Sequence, residues 1–251
     1  MNYPRVMHKN KVSMNLNSQA IKGLLWTMLF FCPSIHGSAQ NSLNEIELYR
    51  IPQKKIRVFI VNQINNNITF FSDLHPSLVK DQDVSNFHVH QKEYRLDKEL
   101  NIVWDVYNKT NPAIAWNGKK VSFGVLLSKK SNKILYPSDK RFDKVETGQV
   151  FYLNIGILQG IENLAVALEI INVDPIKKII EFSYLKGGKA IGKQQIKFLQ
   201  TNTNCTRIVH TSYFKSHSRF RDTFLYPYFH ERMINEFHRN MENVLMADSF
   251  K

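Results

Sequence analysis

Cysteine is scarce in this chain. Only Cys32 and Cys205 occur among 251 residues, and Cys32 lies in an N-terminal stretch that we expect to be removed. One remaining cysteine cannot close a disulfide within the chain, whatever the redox state of its compartment. The stability of the protein must therefore come from a packed core.

Long hydrophobic runs are also absent. The apolar block Leu24–Phe31 is much shorter than the roughly 20 residues that a membrane-spanning helix needs. It follows Lys22 and precedes small residues at Gly37 and Ala39, a pattern typical of a signal peptide. We therefore predict a signal peptide over residues 1–39 and no transmembrane segment after its removal. The expected location is the periplasm of a Gram-negative bacterium, or otherwise the secreted fraction.

Acidic residues are too few to balance the basic ones. The chain has 34 lysines and arginines against 21 aspartates and glutamates. Removal of residues 1–39 takes away four basic residues and no acidic one, so a net charge of +9 remains. The basic residues are scattered and form no block of five or more, which argues against nucleic-acid binding. Attraction to an anionic envelope surface is compatible with this charge.

Residues 40–86 carry a weak pattern. Residues 40–54 are mostly polar, which is typical of a mobile leader. Alternation predicts a strand over Ile56–Val61, a turn at Asn65–Asn67 and a return strand over Ile68–Phe71. We therefore predict an N-terminal leader with a possible hairpin.

The pattern is clearer from residue 87 onwards. Phe87–Arg95 is predicted to be a strand, and Asp97 stands where a helix N-cap is expected. Apolar residues then recur at helical spacing over Leu100–Tyr107. Asn111 and Pro112 predict the start of a second, short helix that ends near Trp116.

Beyond this helix the hydrophobic period changes to two, which indicates strands. Turn residues such as Gly187 and Gly188 separate the strands and predict an antiparallel meander. Its six predicted strands are Lys120–Ser128, Gln149–Leu158, Leu164–Val173, Lys178–Leu185, Lys193–Leu199 and Thr206–Phe214.

The C-terminal segment returns to helical spacing. Phe229, Met233, Phe237 and Met241 form an apolar stripe on a helix that Pro227 is suited to start. Such a stripe must be buried against a broad apolar surface. The concave face of the meander is the only candidate.

This order of elements resembles the helix-grip fold of the START-like (SRPBCC) superfamily over about Phe87–Met246. The segments Phe182–Phe198, Thr206–Tyr213 and Arg221–His230 look like the last strands and closing helix of an exported branch of it. The resemblance implies an α+β domain over residues 87–251, with a curved antiparallel sheet wrapped around a long C-terminal helix. It also implies a cavity between them for a lipid or other apolar small molecule.

Several side chains are predicted to point into that cavity. His210 and Ser212 share a strand face with apolar neighbours, and such a mixture can orient a ligand. Alternatively, His210 is a buried histidine whose ring is satisfied by a backbone or hydroxyl partner, which we favour. Tyr184 is either a cavity hydroxyl or a core residue with its tip at the rim. The candidate ligand-binding residues are Tyr184, His210, Phe182, Ser212, Met233 and Phe237.

A polar cluster is predicted where the last strand leads into the closing helix. It consists of Arg221, Asp222, Tyr226 and His230. These residues either anchor the helix to the sheet or form a polar gate at the cavity mouth. We favour the anchoring role, in which Asp222 supports the start of a helix.

One segment has the spacing of a phosphate-binding loop, with Gly187, Gly192 and Lys193. Gln194, however, stands where a hydroxyl residue would hold magnesium, and a strand pattern follows instead of a helix. The segment is therefore predicted to be a hairpin turn.

The histidines do not predict a metal site. His230 lacks the second histidine of a zinc-protease helix, and we expect His230 and His238 to be solvated on a helix flank. His88 and His90 share a strand face without an evident third ligand. No metal and no cofactor are therefore predicted.

Three functions are compatible with the sequence. The favoured one is an exported protein that encloses an apolar molecule or lipid. The second is a cavity-based enzyme, cyclase-like or hydrolase-like, with His210 or Tyr184 as acid or base. The third is a non-catalytic structural protein whose positive charge binds the envelope.

Overall fold

The computed structural model describes residues 41–157 and 162–248. The predicted signal peptide over residues 1–39 lies outside the described residues. Both the signal peptide and export therefore stay predictions.

An eight-stranded antiparallel sheet organises the described residues. The strands are β1 (His88–Leu96), β2 (Val121–Ser128), β3 (Ile134–Leu135), β4 (Gln149–Ile157), β5 (Glu162–Asp174), β6 (Ile179–Tyr184), β7 (Ile191–Asn202) and β8 (Cys205–Lys215). They lie in the order β1-β8-β7-β6-β5-β4-β2-β3, so β4 to β8 form the predicted meander. The short β3 is an addition to the predicted strands. The Gly187 region is the β6–β7 hairpin, as predicted, and Gly187 has a φ of +79°.

Four α-helices and one π-helical turn accompany the sheet in the described part of the chain. The α-helices are α1 (Lys54–Asn65), α2 (Leu100–Lys109), α3 (Pro112–Ala115) and α4 (Tyr226–Asp248), and the π-helical turn is Arg221–Leu225. None of the described helices is both long and apolar enough to span a membrane.

Helix α4 lies across one face of the sheet and closes the fold. Phe237, Met241 and Leu245 are buried in the same core as Phe182 of β6 and Ile208 of β8. The described chain is therefore α+β, with a curved antiparallel sheet around a long C-terminal helix. This confirms the predicted helix-grip arrangement.

Pro227 does not start the helical segment, contrary to prediction. It is the second residue of α4, and the chain already forms the π-helical turn Arg221–Leu225 before it. A proline has no N–H, and its ring clashes with the carbonyl group four residues earlier, at Thr223. The wider π-helical turn lies at this position, where Pro227 cannot donate an α-helical hydrogen bond to the Thr223 carbonyl.

The N-cap prediction for Asp97 is also wrong. Glu99 occupies the N-cap position of α2, and its side chain makes no capping hydrogen bond. The chain makes an extra turn first, in which the Lys98 N–H donates to the Leu96 carbonyl. The cap of α3 is confirmed, because Asn111 accepts a hydrogen bond from the Ala113 N–H.

The predicted hairpin between Ile56 and Phe71 is wrong, because Lys54–Asn65 form helix α1. Ile56 and Ile60 are four residues apart and both are fully buried, whereas the intervening Val58 is 46% exposed. The apolar period is therefore helical. In addition, the segment before α1 is not a mobile leader, because Leu43, Ile46 and Ile51 are buried in a second core.

This second core lies on the face of the sheet opposite α4. It joins Ile56 and Ile60 of α1 to Tyr152 of β4 and Ala167 of β5. The neighbouring residues Phe151 and Leu168 belong to the core under α4. Because side chains alternate along a strand, both faces of β4 and β5 are covered.

Candidate functional site

A cavity of about 940 Å³ lies where the sheet is interrupted. Pairing of β5 with β6 stops at Leu168 and Tyr184, while β5 continues to Glu162. The Leu185 N–H still donates to the Ala167 carbonyl at 3.0 Å. Beyond this bond, within the described residues, the β6 side of β5 has no strand beside it, while β4 pairs with the other side as far as Glu162. The gap lies between β5 and the hairpin around Gly187, and the cavity occupies it.

Residues from both faces of the sheet line the cavity. Val58 and Phe59 line it from α1, and Phe229 and Met233 line it from α4. Its walls are mainly apolar, which is typical of a small-molecule site. The apolar lining comprises Val58, Phe59, Ile68, Leu74, Ile155, Ile157, Leu164, Ala165, Val166, Ala167, Leu185, Ala190, Leu225, Phe229 and Met233.

Two tyrosine side chains contribute polar groups to the wall on the α4 side. The hydroxyl oxygens of Tyr184 and Tyr226 are 2.5 Å apart. Tyr226 also hydrogen bonds to Ser212 at 2.8 Å, and the Gln194 amide donates to Tyr184 at 2.9 Å. Burial raises the pKa of Tyr184 to about 12. Its hydroxyl therefore stays protonated at neutral pH and can donate a hydrogen bond.

A buried chain of histidines continues from Gln194 into the core. The Gln194 oxygen lies 3.0 Å from Nε2 of His210 and 3.0 Å from Nε2 of His230. Nδ1 of His210 lies 2.9 Å from Nε2 of His238, and Nδ1 of His238 lies 2.8 Å from the Tyr107 hydroxyl. These residues join β7, β8, α2 and α4 through polar contacts inside the core.

The hydrogen bonds of this chain assign a proton to each imidazole. The amide oxygen of Gln194 only accepts, so His210 and His230 both donate from Nε2. Nδ1 of His210 then accepts from Nε2 of His238, and Nδ1 of His238 accepts from Tyr107. Each of the three rings is satisfied in its neutral form.

Burial keeps these histidines neutral. Desolvation lowers the pKa of His238 to about 3. It also lowers the pKa values of His210 and His230 well below the usual range, and neighbouring histidines lower them further. None of the three imidazoles is positively charged at neutral pH.

His230 links this network to the surface. Its Nδ1 lies 3.3 Å from Nδ1 of His90, and Nε2 of His90 lies 3.6 Å from the Glu231 carboxylate. Lys92 pairs with Glu231 at 2.6 Å and is the main cause of its lowered pKa. The polar network therefore ends in a half-exposed ion pair between β1 and α4.

Glu236 makes a separate anchor between α4 and the loop before β2. Its carboxylate accepts hydrogen bonds from the backbone N–H groups of Lys119, Lys120 and Val121, at 3.1, 2.7 and 3.0 Å. Gly118 lies against the same carboxylate, and a Cβ atom at that position would be 2.0 Å from it. Glu236 thus fixes α4 relative to the sheet.

Comparison with solved structures finds distant likenesses. A norcoclaurine synthase point mutant from Thalictrum flavum is 12% identical, with a TM-score of 0.47 over 64% of this chain and 96% of that chain. A START superfamily protein from Mycobacterium smegmatis is 11% identical, with a TM-score of 0.45 over 64% and 98%. Major latex-like protein 151 from Panax ginseng is 10% identical, with a TM-score of 0.45 over 62% and 95%.

All three likenesses have TM-scores below 0.5. The helix-grip arrangement therefore rests on the sheet and the α4 helix described above. No model of a known protein family matches the sequence, and a search of curated proteins finds no match either. Likenesses this distant carry no information about ligand or activity.

Only some of the predicted ligand-binding residues reach the large cavity. Tyr184 and Met233 line it. Phe182 and Phe237 instead line a space of about 50 Å³ deeper under α4, which aromatic side chains nearly fill. His210 and Ser212 line neither space, and each takes part in the buried polar network. His210 is buried as predicted, but its partners are another histidine and a side-chain amide, and not the predicted backbone or hydroxyl group.

The polar cluster before α4 divides in the same way. Arg221, Tyr226 and His230 line the cavity. Asp222 is buried and accepts hydrogen bonds from the N–H and hydroxyl of Ser216, at 2.7 and 2.6 Å. Arg221 donates to the Lys189 carbonyl of the β6–β7 hairpin. These contacts tie the start of the helical segment to two strand ends.

The solvated-histidine prediction is wrong. His230 and His238 are 1% and 3% exposed and both face the core. They are eight residues apart, which places them on one side of α4. Their ring nitrogens have hydrogen-bond partners on β7, β8, β1 and α2. Burial therefore leaves no ring nitrogen of these two histidines unpaired.

Gln194 is the residue that the sequence reasoning missed. It was considered only as a departure from a phosphate-binding loop, yet it joins His210, His230 and Tyr184. The signal was present, because Gln194 alternates with Ile196 and Phe198 and therefore faces the core. A buried glutamine needs partners, and this position predicts a polar network.

Metal ligation is not indicated in the described part of the chain. No three histidine, cysteine, aspartate or glutamate side chains among these residues are arranged to hold an ion. Both ring nitrogens of His210, of His230 and of His238 already have protein partners.

Proposed function

We propose that this protein is an exported binding protein that encloses an apolar small molecule or lipid in the cavity beside α4. The cavity of about 940 Å³ carries this proposal. It lies in the upper part of the 300–1,000 Å³ range typical of ligand sites. Folding gains nothing from leaving such a volume unfilled, because closely packed side chains stabilise a core.

The distribution of polar groups supports a ligand with one polar end. The cavity walls are apolar except for a few groups, and Tyr184 and Tyr226 concentrate hydroxyls at one place. If Ser212 donates to Tyr226 and Tyr226 donates to Tyr184, the Tyr184 proton remains for a ligand. An acceptor oxygen on the ligand would meet that proton.

The contacts of the candidate acid–base residues favour binding over catalysis. His210 lines neither described cavity, and both of its ring nitrogens are engaged by His238 and Gln194. Tyr184 faces the cavity, but its raised pKa makes it a hydrogen-bond donor at neutral pH and not a base. We therefore assign Tyr184 a role in orienting the ligand.

Titration with the neutral fluorescent probe N-phenyl-1-naphthylamine tests this proposal. Val166 lines the cavity from β5, so Val166→Trp should fill part of the volume and weaken probe binding by at least about tenfold. Ile176→Trp is the matched control, because Ile176 is 91% exposed in the β5–β6 turn. Circular dichroism checks that both variants fold. Equal probe affinity for a folded Val166→Trp variant and the wild type would overturn the proposal.

A further inference from the structure

Four large apolar side chains are exposed at the start of the C-terminal helical segment. Phe220 and Phe224 are each 63% exposed, Tyr228 is 55% exposed and Leu225 is 39% exposed. We call Phe220, Phe224, Leu225 and Tyr228 the aromatic tip. Exposed apolar patches of this kind mark interaction sites.

Phe220 and Phe224 form a contiguous part of the aromatic tip. The ring centroids of Phe220 and Phe224 are 5.5 Å apart, so the two side chains contact each other. Neither phenylalanine belongs to the two cores of the described residues. Phe220, Phe224 and Tyr228 follow one another at intervals of four, which brings them to one side of the helical segment.

Basic residues lie near the aromatic tip in sequence and on the β6–β7 hairpin that Arg221 contacts. We call Lys186, Lys189, Lys215, Arg219 and Arg221 the basic collar. Arg221 donates to the Lys189 carbonyl, and Lys215 pairs with Ile191 at the base of the same hairpin.

The charge of the collar is largely uncompensated. Among the described residues, the one acid within ion-pair distance of it is Asp222, 4.0 Å from Nε of Arg221. Asp222 is buried and hydrogen bonds to Ser216. Basic residues that are largely without acidic partners therefore accompany an exposed apolar surface.

We propose that the aromatic tip inserts into the surface of an anionic lipid bilayer while the basic collar contacts the lipid head groups. A helical face that carries apolar side chains beside Lys and Arg is the pattern of a segment lying in the membrane interface. Aromatic residues favour that depth, and anionic head groups attract Lys and Arg.

The composition of the collar favours a lipid surface over a protein partner. Protein interfaces are depleted of lysine, because desolvating an ammonium group is unfavourable. Three of the five collar residues are lysines. At a membrane surface their flexible side chains remain hydrated and still neutralise head groups.

The position of the tip connects docking to the cavity. Leu225 belongs to both the tip and the cavity lining, and Arg221, Lys186 and Lys189 belong to both the collar and the lining. Docking would therefore bring this part of the cavity lining to the bilayer surface. The exchange of an apolar molecule there rests on the proposed function, whereas docking itself does not.

Flotation with lipid vesicles tests the inference. The purified protein is expected to float with vesicles of phosphatidylcholine and phosphatidylglycerol. With vesicles of phosphatidylcholine alone it should remain at the bottom of the density gradient. The exposed pair Phe220→Ser and Phe224→Ser should reduce the bound fraction by about tenfold or more. Ile176→Ser removes an apolar residue elsewhere that is even more exposed, at 91%, and should bind like the wild type. Raised salt should weaken wild-type binding, because it screens the collar.

Three results would overturn the inference. They are no flotation with anionic vesicles, unchanged flotation of the double variant, and a dimer in sedimentation analysis that the double variant abolishes. Probe titration of the same samples separates this inference from the proposed function. If the protein binds the probe but not vesicles, only the docking proposal is contradicted. If it binds vesicles but not the probe, only the proposed ligand-binding function is contradicted.

Discussion

His210 on β8 and His238 on α4 meet inside the core, with Nδ1 of the first 2.9 Å from Nε2 of the second. This contact joins the sheet to the closing helix through two neutral imidazoles. A hydrogen bond of this kind adds little net stability but is costly to break, because the abandoned partner stays buried. The histidine chain therefore fixes where α4 lies on the sheet.

Replacing the central residue of this network should be strongly destabilising. Gln194→Leu leaves His210, His230 and Tyr184 each without one hydrogen-bond partner. We expect a loss of about 3 kcal/mol in the free energy of unfolding, measured by urea denaturation. Gln200→Leu on the exposed part of the same strand is the control and should change it by less than about 0.5 kcal/mol. A similar loss in both variants would contradict the network.

The stability of the protein should fall as the pH falls below about 6.5. The pKa values of His210, His230 and His238 are lowered in the folded state, whereas unfolded histidines titrate near 6.5. Below that pH the unfolded chain binds more protons than the folded one, so unfolding is favoured until about pH 3, the folded pKa of His238. Above about pH 6.5 the contribution of these groups is complete.

Urea denaturation at several pH values between 7.5 and 5 measures this effect. Each neutral buried histidine contributes a slope of up to about 1.4 kcal/mol per pH unit. Carboxylates titrate mainly below this window, so the histidines dominate it. A free energy of unfolding that stays constant from pH 7.5 to 5 would show that the three histidines are not buried in neutral form.

Gly118 and Glu236 should be energetically coupled. A Cβ atom on residue 118 would displace the carboxylate that receives three backbone hydrogen bonds. Gly118→Ala should therefore cost about 2 kcal/mol in the wild type but clearly less in a Glu236→Ala background. A double-mutant cycle by denaturation measures the difference. Additive effects would mean that the two sites are independent.

Tyr184→Phe should change ligand preference more than stability. Tyr184 lines the cavity, and removing its hydroxyl should weaken binding of an apolar ligand with an acceptor oxygen by roughly three- to tenfold. Binding of N-phenyl-1-naphthylamine, which has no acceptor oxygen, should change little, and Tyr49→Phe, at an 81% exposed position, should affect neither. Calorimetric titration with the two ligand types measures this. An equal loss for both would assign Tyr184 a packing role.

The period of the hydrophobic residues predicted most of the fold. The strands from β4 to β8 and the stripe of α4 follow from alternation and helical spacing, because each has one strongly buried face. The segment Lys54–Asn65 was misassigned because valines at Val58 and Val61 favour strands locally. The segment is helical because this places both Ile56 and Ile60 in one core with Tyr152. That tertiary contact cannot be read from the local sequence.

The candidate site was only partly predictable for a related reason. The spacing of His230 and His238 placed them on one side of a helix, but nothing local indicates whether that side faces water. Their burial depends on Gln194 and His210, which are distant in sequence. Likewise, the gap beside β5 arises because β6 ends at Tyr184, and strand lengths are the least certain part of a sequence-based assignment.

Native mass spectrometry of the protein purified from its own host tests the central claim most directly. We predict that the wild type carries a retained small molecule of apolar character and that the folded Val166→Trp variant, whose cavity is smaller, carries much less of it. The Ile176→Trp control should retain as much as the wild type. An empty wild-type protein that also fails to take up N-phenyl-1-naphthylamine would contradict a ligand-enclosing role.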